Sequence, residues 1–153
     1  MLVNFGGDIA MTGEAPSGGW QVGIDFDSRT SAADVGLVVA LRSGGLASSG
    51  TKVRNWRRGG ELLHHIVDPR AGDVARTKWT LATLASSTCC ANAARTAAIV
   101  MGAQATEWVA ELGFPARLVD DSGAVTPLGG WPDDPPARED ARNTPNRRSS
   151  HRS

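Results

Sequence analysis

Apolar positions come in short strand-like runs as far as Ser86 and then change to a helical period. "LVNFGGDIAM" opens as a strand of β-branched and aromatic residues, broken at Gly6 and Gly7. After the turn signal "EAPSGG", "GWQVGIDF" (Gly19 to Phe26) reads as a second strand. "VGLVVAL" (Val35 to Leu41) reads as a third, and its unbroken apolar run predicts burial on both faces. "RSGGLASSG", dense in Gly and Ser, reads as a loop. "TKVRNWRRGGELLHHIVD" reads as a hairpin turned by Gly59 and Gly60, and "KWTLATLAS" (Lys78 to Ser86) as a further strand. In "TCCANAARTAAIVMG", Ala91, Ala94, Ala98 and Met101 fit one face of a tightly packed helix capped by Gly102. "QATEWVAELGF" predicts a second helix, with Trp108 and Leu112 one turn apart and Gly113 at its end. "PARLVDDSGAVTPLG" predicts a strand, a turn at Asp121 to Gly123, and a short closing strand. Strands, two consecutive helices and then strands describe a mixed α/β (α+β) fold, a mixed sheet with the helices packed on it, not an alternating βαβ series.

Composition changes this picture at one end. From Trp131 onward, "WPDDPPAREDARNTPNRRSSHRS" has almost no aliphatic residue, several prolines and mixed charges. Such a segment buries too little apolar surface to offset its ordering entropy, so residues 131–153 are expected to be a disordered polar tail on a domain of residues 1–130. Formal net charge is zero, so no overall field draws the chain to nucleic acid or membranes. No apolar run is long enough for a transmembrane helix, and the N-terminus lacks the pattern of a signal peptide. A cytoplasmic location is favoured on those grounds. The adjacent Cys89 and Cys90 make neither a disulfide framework nor a zinc spacing. They read as two small apolar residues near a helix start, or as a vicinal redox pair.

Four segments carry candidate chemistry. If "LLHHIVDP" is one strand, His64 shares a face with Leu62 and Ile66, and His65 shares the other with Leu63 and Val67. Two such rings cannot share a metal. One packs, and the other is either merely exposed or an acid/base or phosphate contact beside Asp68 and Arg70. Gly6 and Gly7 before Asp8 make either a tight turn or a backbone cradle for phosphate, and lack the third glycine of a dinucleotide fingerprint. Ser48, Ser49 and Gly50 sit in a second segment that is either a cradle or a plain loop. Asn92 and Thr96 stand four apart on one helical face, either as two oxygen ligands for Mg²⁺ or as a cap and a packing residue. "KVRNWRR" is better explained as a solvated hairpin arm than as a nucleic-acid patch.

Taken in order, these segments resemble the C-terminal half of the ApbE family, the FAD:protein FMN transferases. An N-x-G-G-D motif is met by Asn4 to Asp8, and G-W-x-V-G-I by Gly19 to Ile24. An A-T-S-G loop is met by Ala47 to Gly50, and H-I-x-D-P-R-T-G by His65 to Gly72. The helix motif A-D-A-x-x-T is met by Ala91 to Thr96, with Asn92 where most members have aspartate. Ala71 and Ser48 stand where threonine is usual. The resemblance covers about Leu2 to Gly130. It implies an enzyme that binds FAD with Mg²⁺ and transfers FMN to a threonine hydroxyl of an acceptor flavoprotein, releasing AMP. His65 would lie at the reacting phosphate, and Asn92 and Thr96 would be the Mg²⁺ ligands. Gly6, Gly7, Asp8, Ser48, Ser49, Gly50, Asp68 and Arg70 would hold FAD. It also implies that an N-terminal half is lacking, so that this chain alone is expected to transfer flavin poorly and to need that half or a second copy. The alternative expectation is a non-catalytic FAD- or nucleotide-binding remnant.

Overall fold

The computed structural model describes residues 1–25, 35–86 and 90–133. The chain opens with a hairpin, β1 (Leu2–Phe5) and β2 (Asp8–Met11), followed by a two-stranded ribbon, β3 (Trp20–Ile24) and β4 (Leu37–Leu41). Next come β5 (Gly44–Gly50), the projecting hairpin β6 (Asn55–Arg58) and β7 (Glu61–His64), and a short pair β8 (Val67–Asp68) and β9 (Asp73–Val74). The long strand β10 (Trp79–Ser86) precedes α1 (Cys90–Met101), which runs through a 3₁₀ turn into α2 (Ala105–Leu112). A last hairpin, β11 (Ala116–Asp120) and β12 (Val125–Leu128), completes the order.

Six strands make one antiparallel sheet in the order β1-β2-β5-β10-β11-β12. The period of two in β10 sorts its side chains between two cores. Ala82 and Leu84 face the helices with Ala94, Ala98, Ile99, Val109 and Leu118. Leu81 faces the β3–β4 ribbon with Val22, Ile24, Val39, Leu46 and Val119. Each fully buried Leu, Ile or Val contributes about 1.5–3 kcal/mol, so the docking of both helices rests chiefly on Leu84, Ile99, Val109 and Leu118. Trp79 adds a polar tie, its buried indole N–H donating to the Gly102 carbonyl at 2.6 Å.

Several sequence expectations meet a different outcome. The Gly/Ser segment expected to be a loop is β5, hydrogen-bonded to β2 on one side and β10 on the other. Its residues are small because α1 packs across it and β10 crowds it: a Cβ on Gly50 would meet the Thr80 carbonyl at 3.3 Å. β4 is buried on one face only, with Val38 half exposed, because nothing covers the outer side of the ribbon among the described residues. "LLHHIVDP" is not one strand: β7 ends at His64 and β8 begins at Val67. Leu112 is exposed, and Ala105 and Val109 carry the burial of α2. Trp131, which composition assigns to the tail, is only 7% exposed and belongs to the core cluster under the ribbon. Phe26, Cys89 and residues 134–153 lie outside the described residues.

Candidate functional site

A cleft of about 660 Å³ opens where the β1–β2 turn, the end of β3 and the second half of β5 meet α1. That volume lies within the roughly 300–1,000 Å³ usual for small-molecule sites. The cleft takes in Gly6, Gly7, Asp8, Ser48, Ser49, Gly50, His65 and Thr96, which the sequence scatters over the chain. Gly6 and Gly7 have φ of 62° and 101°, the backbone a two-residue hairpin turn between right-twisted strands requires. Gly7 donates its N–H to Asn4 Oδ1 at 3.0 Å, so this turn is closed by its own asparagine.

Three expected site residues fall elsewhere. Asp68 and Arg70 form a turn of their own: Arg70 donates Nε and Nη2 to the Asp68 carboxylate at 3.0 and 2.8 Å. Those hydrogen bonds hold the Asp68 carboxyl below its ordinary pKa. Neither side chain lines the cleft, although Val67 beside them does. Asn92 is exposed and opens onto a second groove with Phe5, Met11 and Gly13.

The two histidines divide as the chain leaves β7. His64 turns inward: its Nδ1 accepts the Ile66 N–H at 3.3 Å and its Nε2 lies 3.1 Å from the Ala75 carbonyl. A carbonyl only accepts, so the proton sits on Nε2 and the ring is neutral. Burial pushes its pKa below the usual 6.5; the Ala75 carbonyl opposes this, and neighbouring His65 and Arg76 add to it. His65 turns outward to the cleft. Its Nδ1 lies 3.3 Å from the Arg54 carbonyl, which leaves Nε2 as the nitrogen with a free lone pair.

Sequence reasoning passed over Arg95. It shares a helical face with Ala91 and Ala98, at i, i+4 and i+7, and its side chain is 15% exposed. From α1 its Nη1 donates to the Ser48 carbonyl and to Ser49 Oγ at 2.9 Å. Its Nη2 donates to Asp8 Oδ2 at 3.0 Å and lies 2.8 Å from Oδ1. Burial lowers its pKa, and the Asp8 carboxylate opposes that. Ser49 Oγ is also 3.4 Å from Thr96 Oγ1, and Ser48 Oγ is 2.9 Å from the buried Thr83 hydroxyl. One helix and three strands are thus joined across the cleft floor. A single cation among alanines on a buried helical face was the sequence signal for this network.

Magnesium does not fit these residues well. Thr96 lines the cleft, and Asn92 lines an adjoining groove that shares Phe5, Asp8, Ile9 and Leu46 with it. Among the described residues, no three His, Cys, Asp or Glu side chains lie together as a metal site. Asp8 is engaged by Arg95. A cation about 4 Å from the guanidinium would meet repulsion of about 4 kcal/mol per unit charge at an effective dielectric of 20.

This fold, a six-stranded antiparallel sheet with helices on one face and a ribbon on the other, is similar to that of flavin transferases of known structure. The chain belongs to the ApbE family, which matches over residues 1–118. The ApbE protein of Thermotoga maritima is 30% identical with a TM-score of 0.69, over 84% of this chain and 42% of that one. The flavinyl transferase ApbE of Pseudomonas stutzeri is 22% identical with a TM-score of 0.65, over 83% and 40%. The flavin transferase ApbE of Vibrio cholerae is 22% identical with a TM-score of 0.66, over 85% and 42%. The chain thus spans about two-fifths of the length of these solved structures. No curated protein sequence matches it. Among the described residues, no helix is long and apolar enough to cross a membrane.

Proposed function

We propose that this cleft belongs to an FAD:protein FMN transferase site, in which FMN passes from FAD to a threonine hydroxyl of an acceptor flavoprotein and AMP leaves. The observation that carries the reading is the convergence on one cleft of His65, the Gly6–Asp8 turn, Ser48 to Gly50 and Thr96. The acceptor hydroxyl oxygen attacks the FMN-side phosphorus as the bond from that phosphorus to the AMP oxygen breaks. His65 Nε2, left free by the bond of Nδ1 to the Arg54 carbonyl, accepts the hydroxyl proton. General-base help of this kind is worth roughly 10²–10⁴-fold. Phosphoryl transfer otherwise depends on positioning and charge neutralisation, and Arg54 and Arg95 both line the cleft. Family resemblance implies Mg²⁺ as a further counter-charge, which would polarise the phosphate oxygens. Because Asp8, the carboxylate lining the cleft beside Thr96, is engaged by Arg95, no step is assigned to the metal.

The test is incubation of the purified chain with FAD and an acceptor protein bearing a target threonine, read by acceptor mass and AMP release. An FMN-sized mass gain with matching AMP supports transfer. FAD binding without either product supports the second reading, a non-catalytic flavin-binding domain, which the position of Asn92 outside the cleft favours. Absence of both binding and transfer would sink the flavin assignment.

A further inference from the structure

The cleft floor already contains a cation, and it belongs to the protein. We propose that the Arg95 guanidinium, rather than a divalent metal ion, is the fixed positive charge of this site, and that a phosphate- or pyrophosphate-bearing ligand binds there without metal. This builds on the flavin reading above and narrows it.

Three observations carry the proposal. First, Arg95 is held rigidly: Nη1 is bonded to the Ser48 carbonyl and Ser49 Oγ, and Nη2 to Asp8, so its charge cannot swing away into solvent. Second, the network is incomplete. Arg95 Nε and Asp8 Oδ1 are buried without a hydrogen-bond partner, whereas buried polar atoms normally have one. Oδ1 has the charge contact to Nη2 at 2.8 Å, while the aligned hydrogen bond from Nη2 goes to Oδ2. Third, the groups a hard cation would need are occupied or displaced. Asp8 faces Arg95, the Ser49 and Thr96 hydroxyls face each other at 3.4 Å, and Asn92 lines the adjoining groove. Arginine suits this role because it stays charged while its donors are engaged by the protein, so it acts on phosphate as a fixed charge. Asp8 neutralises part of that charge, and Arg54, also lining the cleft, adds a second cation for the anion.

The experiment titrates the purified chain with FAD by flavin fluorescence and with ADP by calorimetry, each in EDTA and in excess Mg²⁺. Two variants accompany it. Asp8→Asn with Arg95→Met removes both charges together, so no carboxylate is left unpaired, and Arg95→Lys keeps the charge. Circular dichroism checks that each is folded. Expected is binding that changes less than about twofold between EDTA and Mg²⁺ and that weakens roughly tenfold or more in the double variant. Arg95→Lys should retain most of the metal-free binding. Wild-type binding tightened tenfold or more by Mg²⁺ would overturn the proposal and leave the flavin reading standing, as would a double variant that binds like wild type. Metal-free, Arg95-dependent binding of ADP but not of FAD would uphold the proposal and reject the flavin reading. Binding of neither ligand in either buffer would overturn both.

Discussion

Arg95 Nη2 lies 2.8 Å from Asp8 Oδ1, joining helix α1 to strand β2 across 87 positions of sequence. The same guanidinium reaches Ser48 and Ser49 on β5, so it ties the helix to two neighbouring strands at once. A side chain in this position is both a structural clamp and a fixed charge on the cleft floor.

Arg95→Met alone should therefore destabilise the fold. Breaking a fully buried ion pair from one side costs about 3–5 kcal/mol, and partial exposure of Asp8 reduces the expectation to about 1–3 kcal/mol. Adding Asp8→Asn should recover part of the loss. Urea unfolding midpoints measure both, and an unchanged midpoint for the single variant would mean that the pair contributes nothing.

His65→Gln should leave the fold intact, because the side chain is exposed and its one ring contact is to a carbonyl. Flavin transfer should fall by roughly 10²-fold or more, while the FAD dissociation constant changes little. A variant with full transfer rate would remove His65 from the role of base.

His64 should make stability sensitive to acid. Its folded-state pKa is lowered from 6.5, chiefly by burial, so as pH falls the unfolded chain takes up the proton first. The contribution is neutral well above 6.5, becomes destabilising as pH drops below that value, and levels off once the folded form is protonated too. Melting temperatures taken from neutral pH to about pH 5 should decline more steeply for wild type than for His64→Gln. Parallel curves would show that another group controls the acid response.

Gly129→Ala should be among the most damaging single-methyl additions. Gly129 has φ of 58°, and a Cβ there would stand 2.2 Å from the Phe114 carbonyl oxygen. The left-handed backbone alone costs about 1–2 kcal/mol for a residue with a Cβ, and the clash with main chain adds to it. Thermal melting of the variant checks this, and wild-type stability would mean that the β12 end relaxes freely.

Much of the architecture was legible in local pattern. The Gly59–Gly60 hairpin, β10, the alanine face of α1, Gly102 and Gly113 at helix ends, and the β11–β12 hairpin each follow from period and turn chemistry within a few residues. The identity of β5 was not. Gly, Ser and Ala have low strand propensity, and only the contact of α1 on one face and β10 alongside makes smallness the requirement. The site divides in the same way. His65, the Gly6–Gly7 turn and the Ser48–Gly50 segment could be named as candidates because their residue types are unusual where they stand. Residue pattern alone left the paired histidines open, and the family resemblance pointed to His65. Physically, the break between β7 and β8 turns the rings apart, and Ile66 and Ala75 engage His64.

By itself, then, the sequence determined the order and type of most elements, the family motifs and the residues able to do chemistry, because periodicity, turns and titratable groups are local properties. Only the tertiary structure decided that Arg95 meets Asp8, that Thr96 and Asn92 line adjoining grooves, and that Asp68 and Arg70 satisfy each other outside the cleft. Those outcomes depend on how helix α1 is rotated against β2 and β5 and on how one loop closes. Rotation and closure are set by packing over residues far apart in the chain, and no window of sequence contains them.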